Sequence, residues 1–181
     1  MNKPVLKAGL AAFMFANVAC SDADDIGTRA EATIIGNDGD TIGEASFIQG
    51  TEGVVLEVKV RNISPGKHGL HFHRVGICHD AYDFQMSGGH IESDTVPHGL
   101  LNPDGPHAGD MPNLIVHEDG TAHAEFYSEL VSLNGRWGQP ALLDDDGSAL
   151  VIHLYEDDYK SQPIGGSGSR IGCGLITPVG G

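Results

Sequence analysis

Short segments in which apolar and polar residues alternate with period two make up much of the chain. The clearest runs from Val54 to Val60, where four apolar residues are separated by residues that include Glu57 and Lys59. Successive side chains of a strand point to opposite faces, so this pattern predicts a strand with one buried face. Weaker forms of the pattern predict further strands at 32–36, 44–49, 113–117, 122–127 and 149–155.

Turn residues separate these strands. Asp119-Gly120 and Asp146-Gly147 are typical hairpin dipeptides, and the 181 residues include 26 glycines and 9 prolines. No segment has helical periodicity of convincing length. The chain is long enough for one domain with a substantial core, and the pattern predicts an all-β antiparallel sandwich or flattened barrel.

Two long stretches lack the strand pattern. Residues 74–110 carry histidines, glycines, prolines and aspartates without sustained periodicity, and residues 156–174 are glycine-rich and polar. Loops of this length in a compact domain are usually functional or disordered. We expect both to be functional loops.

Residues 1–20 resemble an export signal. Lys3 and Lys7 precede an apolar run at 8–19 that is too short to span a bilayer and ends in small residues before Cys20. A buried N-terminal strand or helix is the alternative. Cys20 stands where bacterial lipoproteins carry their lipidated cysteine, and plain cleavage near Ala23 is equally compatible. Residues 21–181 would then form the single mature domain.

Charge and export narrow the partners and the location. The formal charge is −15, and removal of a leader with two lysines and no acidic residue leaves −17. So acidic a surface argues against a nucleic-acid partner. An exported bacterial chain is expected in the periplasm, either soluble or anchored to the envelope membrane through Cys20.

Export also bears on the remaining cysteines. Cys78 and Cys173 are the only thiols besides Cys20. In an oxidising compartment, two cysteines far apart in sequence are most simply a disulfide. Such a bridge would tie the beginning of the first loop to the end of the second.

The segment HGLHFH at 68–73 concentrates three histidines. On a strand, His71 and His73 share a face, whereas His68 points to the other. Two of them therefore qualify as metal ligands and His68 as a backing residue. Three surface histidines on a polar edge are the alternative.

Further histidines complete two metal-ligand sets. The first loop adds His90, His98 and His107 and then Asp110, a combination that suits tetrahedral Zn(II). A chance scatter of loop histidines is the alternative. His153, together with His71, His73 and one histidine shared with the zinc set, would supply four nitrogens, which suit tetragonal Cu(II). By itself, His153 is more typical of a hydrogen-bonded histidine in a sheet.

Four ordered motifs resemble the copper/zinc superoxide dismutases, most closely the exported bacterial members. They are HGLHFH at 68–73, SGGH at 87–90, HGLLNPDGPHAGD at 98–110 and SRIGCG at 169–174. The resemblance implies a Greek-key, flattened eight-stranded barrel. It also implies conversion of superoxide to dioxygen and hydrogen peroxide by copper redox cycling, as antioxidant defence in the cell envelope.

The resemblance also implies roles for individual residues. One copper and one zinc ion are expected per chain, with His90 shared and supplying a proton to the peroxide product. Asp157 would link a copper histidine to a zinc histidine, His68 would back the copper strand, and Arg170 would guide superoxide. The implied ligands are His71, His73, His90 and His153 for copper, and His90, His98, His107 and Asp110 for zinc.

Some points stay open in the sequence. Lys160 is a weaker candidate for guiding the substrate, and His79 has no counterpart in the family pattern, so an exposed loop histidine is expected. Trp137 would suit a homodimer contact, but packing on its own domain is more common. The rival functions are a non-catalytic periplasmic copper- and zinc-binding module on the same fold and a structural adhesive sandwich without metal.

Overall fold

A computed structural model describes residues 25–79, 83–92 and 94–180. The predicted signal at 1–20 and Cys20 lie outside these residues. The described part contains short 3₁₀ turns at Gln85–Ser87 and Arg136–Gly138, and none of its helices is long and apolar enough to cross a membrane. The strands are β1 (Arg29–Gly36), β2 (Thr41–Gln49), β3 (Val54–Val60), β4 (Gly66–His68), β5 (Leu70–His73), β6 (Leu114–Val116), β7 (Ala122–Ser128), β8 (Ala149–His153), β9 (Arg170–Leu175) and β10 (Thr177–Pro178).

The strands form a curled antiparallel sheet in the order β5, β8, β9, β1, β2, β3, β7, with β10 added to β1. A second pairing joins β4 to β6. β4 and β5 are halves of one extended segment separated by Gly69, so this segment pairs with β6 at one end and with β8 at the other. The neighbours β3 and β7, and β9 and β1, are far apart in sequence, as a Greek key requires. The predicted all-β fold is confirmed.

Alternation places the core inside the curled sheet. The predicted apolar positions of β3 are buried, with Val54, Leu56 and Val58 at most 1% exposed. Phe47 of β2 and Phe72 of β5 pack with ring centroids 6.2 Å apart. This packing fixes β5, because its even-numbered residues Leu70 and Phe72 are held in the core while His71 and His73 project from the other face.

The prediction that residues 156–174 form a loop is wrong at its end, because β9 begins at Arg170. Its glycines interrupt the alternation of apolar and polar side chains by which a strand is predicted. The packing around them is tight: a Cβ on Gly172 would lie 3.0 Å from Ile42 Cδ1, and one on Gly174 would lie 3.1 Å from Ala32 Cβ. The glycines therefore let β9 lie close to β1 and β2 without displacing side chains of those strands.

The predicted disulfide is present. Cys78 and Cys173 are bridged, with their Cα atoms 5.5 Å apart and a sequence separation of 95. Cys173 lies in β9, so the bridge fastens the start of the first loop to the central sheet.

Candidate metal centre

Two neighbouring strands and the first loop bring the predicted histidines together. His71 and His73 of β5 pair in register with residues of β8, whose last residue is His153. The loop returns to β5 through an isolated bridge between His73 and His90 and another between His71 and Asp110. The strand register therefore determines where the loop ligands lie.

Four buried histidines form the first donor set. The donor atoms are Nδ1 of His71 and Nε2 of His73, His90 and His153, which lie within 4.8 Å of one another and have no hydrogen-bond partner among the described residues. Buried polar atoms without a partner are rare in native proteins. Four such lone-pair donors converging on one point are suited to hold a metal ion.

The opposite ring nitrogens show which tautomers are present. His73 Nδ1 donates to Gly88 O at 2.9 Å, and His153 Nδ1 donates to Gly168 O at 3.0 Å. A carbonyl oxygen only accepts, so each Nδ1 carries the proton and each Nε2 presents a lone pair. These rings are therefore oriented and protonated as neutral metal ligands.

Burial keeps three histidines of this set neutral. It lowers the pKa of His71 to about 4, with a further contribution from His90, and the pKa of His153 to about 3. It also lowers the pKa of His73 well below its usual value, assisted by His90 and Arg170. Four imidazole nitrogens suit tetragonal Cu(II).

The second donor set consists of Nδ1 of His90, His98 and His107 with Oδ1 of Asp110. Asp110 Oδ1 lies 2.9 Å from the His90 and His98 nitrogens and 3.4 Å from that of His107, and the His90 and His107 nitrogens are 3.1 Å apart. Ligands at 2.0–2.1 Å around a tetrahedral zinc ion lie about 3.3 Å from one another. The second set therefore fits zinc.

His71 lies near both sets. A donor atom of His71 is within 4.8 Å of atoms from His90, His98 and Asp110, which form a group without His107. We assign His71 to the first set because its Nδ1 has no partner, while its Nε2 contacts Asp157 at 2.8 Å. His107 belongs to the second set because its Nδ1 faces both His90 and Asp110.

Asp110 is held as a carboxylate. Burial alone would raise its pKa, but hydrogen bonds from His90 and His98 outweigh burial and lower the pKa far below the usual value. Its other oxygen accepts from the backbone N–H groups of Gly99 at 2.7 Å and His107 at 3.0 Å. The negative charge that a divalent cation requires is thus fixed in place.

Asp157 connects the two sets, as the resemblance implied. Its carboxylate lies 2.8 Å from His71 Nε2 and 3.0 Å from His98 Nε2. Burial lowers the pKa of His98, yet hydrogen bonds to Asp110 and Asp157 raise it to about 9. Burial would raise the pKa of Asp157, but the hydrogen bonds from His71 and His98 outweigh burial and lower it.

Three residues that the sequence did not single out hold Asp157. Asn113 Oδ1 accepts from the Asp157 backbone N–H at 2.8 Å, and Asn113 Nδ2 donates to the Asp157 carbonyl at 2.9 Å and to Tyr159 Oη at 2.8 Å. Gly165 has φ +64, and a Cβ there would lie 1.7 Å from Asp157 Oδ1. A buried asparagine and one glycine among several give no recognisable signal in a single sequence.

Arg170 lies beside the first set. Its Nη1 donates to Phe84 O at 2.5 Å and to Ser87 Oγ at 2.9 Å, and its Nη2 donates to Gly88 O at 2.6 Å. Gly88 O also accepts from His73, so the arginine and a ligand share one anchor. The positive charge of Arg170 contributes to the lowered pKa values of His73 and His153.

The remaining histidine and lysine candidates occupy different places. His68 is 2% exposed, with Nδ1 2.8 Å from His153 O and Nε2 2.8 Å from Ser64 O, so it lies behind the ligands. His79 and Lys160 are exposed on the first and second loops.

Comparisons with known proteins identify relatives of this chain. The family profile described as "Copper/zinc superoxide dismutase (SODC)" matches residues 41–176. The chain is 46% identical over 148 residues to the superoxide dismutase [Cu-Zn] of Caulobacter vibrioides, covering 81% of this chain and 84% of the relative. It is 39% identical over 149 residues to superoxide dismutase [Cu-Zn] 1 of Aquifex aeolicus, covering 82% and 87%.

Solved structures show the same fold. A double mutant of a SOD-like protein from Bacillus subtilis superposes with a TM-score of 0.76 at 35% identity, covering 80% of this chain and 95% of that one.

Proposed function

Because this chain belongs to the copper/zinc superoxide dismutase family and is a superoxide dismutase, we propose that its two donor sets hold the two metals of that family. The four nitrogens of His71, His73, His90 and His153 would hold copper. The second set, with His90, His98, His107 and Asp110, would hold zinc. The observation that carries the proposal is the convergence of four buried nitrogens that have no partner in the described part of the chain.

The two metals would have different tasks. Copper supplies the change of oxidation state by which one superoxide is oxidised to dioxygen and the next is reduced to hydrogen peroxide, whereas zinc has no redox step. The protein would hold the other ligand rings in fixed orientations through the cycle. Asp157 serves this end, since one carboxylate orients a ring of each set.

The protons of the reaction would be handled at His90. Its Nδ1 is held at Asp110, 2.9 Å away, while its Nε2 faces the first set. In this proposal Nε2 would take a proton from solvent in the half of the cycle in which it does not hold copper and would release it to the peroxide product, whose second proton would come from solvent. Because the ring is 1% exposed, the orientation of Nε2 is fixed by packing and by Asp110.

Arg170 would bind the incoming anion. A guanidinium stays charged at every relevant pH and offers five N–H donors. Hydrogen bonds to backbone carbonyls and Ser87 hold this fork beside His73 and His153. Positive charge near the ligands favours superoxide over neutral molecules and speeds its encounter with the site.

We further propose that the protein is exported to the periplasm. The apolar leader at 1–20 and the pairing of Cys78 with Cys173 support this location. Mass spectrometry of the N-terminus after expression in a bacterial host tests it. A diacylated Cys20 would indicate membrane anchoring, a free N-terminus near Ala23 a soluble protein, and an intact Met1 would contradict export. Homodimer formation remains a prediction for sedimentation analysis.

Superoxide turnover by the protein reconstituted with copper and zinc tests the site assignment. We expect fast turnover in the parent and none in His153→Ala, because the variant removes one of the four copper nitrogens. Zinc content should be unchanged, since His153 is absent from the second set. A parent that binds one equivalent of each metal without turnover would instead favour the non-catalytic binding module, and a His153→Ala variant with full activity would refute the copper assignment.

A further inference from the structure

A surface pocket of about 430 Å³ opens beside His90, the histidine common to both donor sets. It lies between the two loops, and two members of the second donor set, His90 and His107, are among its lining residues. Its lining residues are Gly89, His90, Asp94, Val96, Pro97, His107, Gln162, Pro163 and Ile164. Asp94 is the only carboxylate among them, so an approaching superoxide anion meets a like charge in this pocket.

Arg74 compensates this charge. Its Nη1 forms an ion pair with Asp94 Oδ2, and the two side chains are 46% and 72% exposed. Exposed ion pairs of this kind contribute little to stability. The pair therefore matters more for the electrostatic potential at the pocket than for folding.

The position of Arg74 is set by the metal site. It directly follows His73, and its backbone N–H donates to Gly89 O at 3.0 Å. Its side-chain stem lies along Gly88, where a Cβ would be 3.1 Å from Arg74 Cγ. Arg170 donates to the carbonyl of the same Gly88. Two arginines thus flank one short segment, with Arg170 at the ligands and Arg74 at the outer pocket.

We propose that Arg74 neutralises Asp94 at the mouth of the pocket and thereby determines how fast anions reach the first donor set. The inference rests on the proposed function, because it takes that set as the place where superoxide reacts. Arg74 is a positioning residue for the charge of Asp94 and does not itself touch the reacting atoms. The charge of Asp94 repels the anion and slows its approach, and the charge of Arg74 cancels this repulsion.

The expected effects follow from the charges. A unit charge about 10 Å from an anion in water changes the local anion concentration about twofold, and the effect fades above physiological ionic strength. Arg74→Gln should therefore lower the second-order rate constant about twofold at low salt. Asp94→Asn should raise it about twofold, and the double variant should return close to the parent.

The experiment measures superoxide decay after pulse radiolysis at several ionic strengths for these four proteins, each with its copper and zinc contents determined. Glu52→Gln is the matched control, because it removes one negative charge on the turn between β2 and β3. The strand β2 has nine residues and is about 30 Å long. The turn that carries Glu52 follows its last residue. The turn before its first residue, at 36–40, is the one that contacts the first loop, through a hydrogen bond between Asn37 and Asp83.

Azide provides a readout that needs no turnover. Its dissociation constant, followed by the copper absorption of the loaded protein, should rise about twofold in Arg74→Gln and fall about twofold in Asp94→Asn. Equal rate and azide constants in all four proteins would overturn the inference, as would a double variant that behaves like Arg74→Gln alone. A parent that binds both metals and azide but does not consume superoxide would contradict the proposed function instead, while the azide series still decides the role of Arg74.

Discussion

Replacing Gly165 by alanine should separate the metal-linking carboxylate from its two histidines. A Cβ at position 165 would lie 1.7 Å from Asp157 Oδ1 and 2.9 Å from His98 Nε2. Non-bonded atoms of this kind rest at about 3.5 Å, so the carboxylate must move by roughly 1.5 Å or more. The hydrogen bonds of 2.8 Å to His71 and 3.0 Å to His98 would then exceed bonding distance.

The consequence should appear in zinc affinity. Loss of a hydrogen bond that orients a metal ligand typically weakens metal binding about 10- to 100-fold, or about 1.4 to 2.7 kcal/mol. Alanine at the positive φ of +64 adds a backbone strain of about 1 to 2 kcal/mol, which lowers stability without regard to metal. The two effects must therefore be separated.

Gly166→Ala separates them. Gly166 has φ +73, and nothing lies within 4 Å of a Cβ placed there, so this variant carries the strain without the clash. Zinc dissociation constants would be measured by chelator competition, and unfolding of the metal-free proteins by urea. We expect Gly166→Ala to show only the loss of stability due to strain, and Gly165→Ala to lose more stability because of the clash and, in addition, to bind zinc more weakly. Equal zinc affinity in the two variants would refute the argument that Asp157 positions His98.

Three further predictions concern the disulfide, the anion site and pH. Cys78→Ser opens a 95-residue loop and should lower stability by about 4 to 5 kcal/mol and the melting temperature by about 10 °C or more; a scanning calorimetry trace that is unchanged would contradict this. Arg170→Gln should lower the rate constant for superoxide and its salt dependence while metal analysis still finds both metals; full activity would exclude anion binding by Arg170. The metal-free protein should be most stable near pH 6.5, as followed by urea midpoints. Below that pH the unfolded state binds more protons than the folded one, because folding lowers the pKa of His71 to about 4 and of His153 to about 3, so stability falls as the pH falls. Above pH 6.5 the folded state binds more protons, because the pKa of His98 is raised to about 9, so stability falls as the pH rises. A urea midpoint that rises steadily to pH 9 would contradict the role of His98.

The strands and the metal-ligand residue types follow from local patterns in the sequence. The alternation of β3 predicts its buried face, and the parity of His71 and His73 predicts that they project together. Neither inference needs knowledge of distant residues. The pattern did not predict β9 because Gly172 and Gly174 have no side chains and therefore show no alternation. These glycines pack against β1 and β2, which are far away in sequence, so the sequence around β9 does not show why they are there.

The supports of the site are also non-local. Asn113 acts through the backbone of Asp157, 44 residues further on, and Gly165 is needed only because Asp157 has turned towards His98. The Arg74–Asp94 pair likewise joins two residues 20 positions apart across a loop without periodic structure. Such contacts depend on the completed fold, and the type of a residue alone does not predict them.

In the proposed assignment, the sharing of His90 between the two donor sets would make metal loading a linked equilibrium. The ion that binds first would hold one nitrogen of that ring and, through Asp157, influence the orientation of a histidine in the other set. Thermodynamic linkage requires reciprocity: the factor by which zinc changes the affinity for copper equals the factor by which copper changes the affinity for zinc. The affinity of either metal would then have a defined value only when the occupancy of the other is stated.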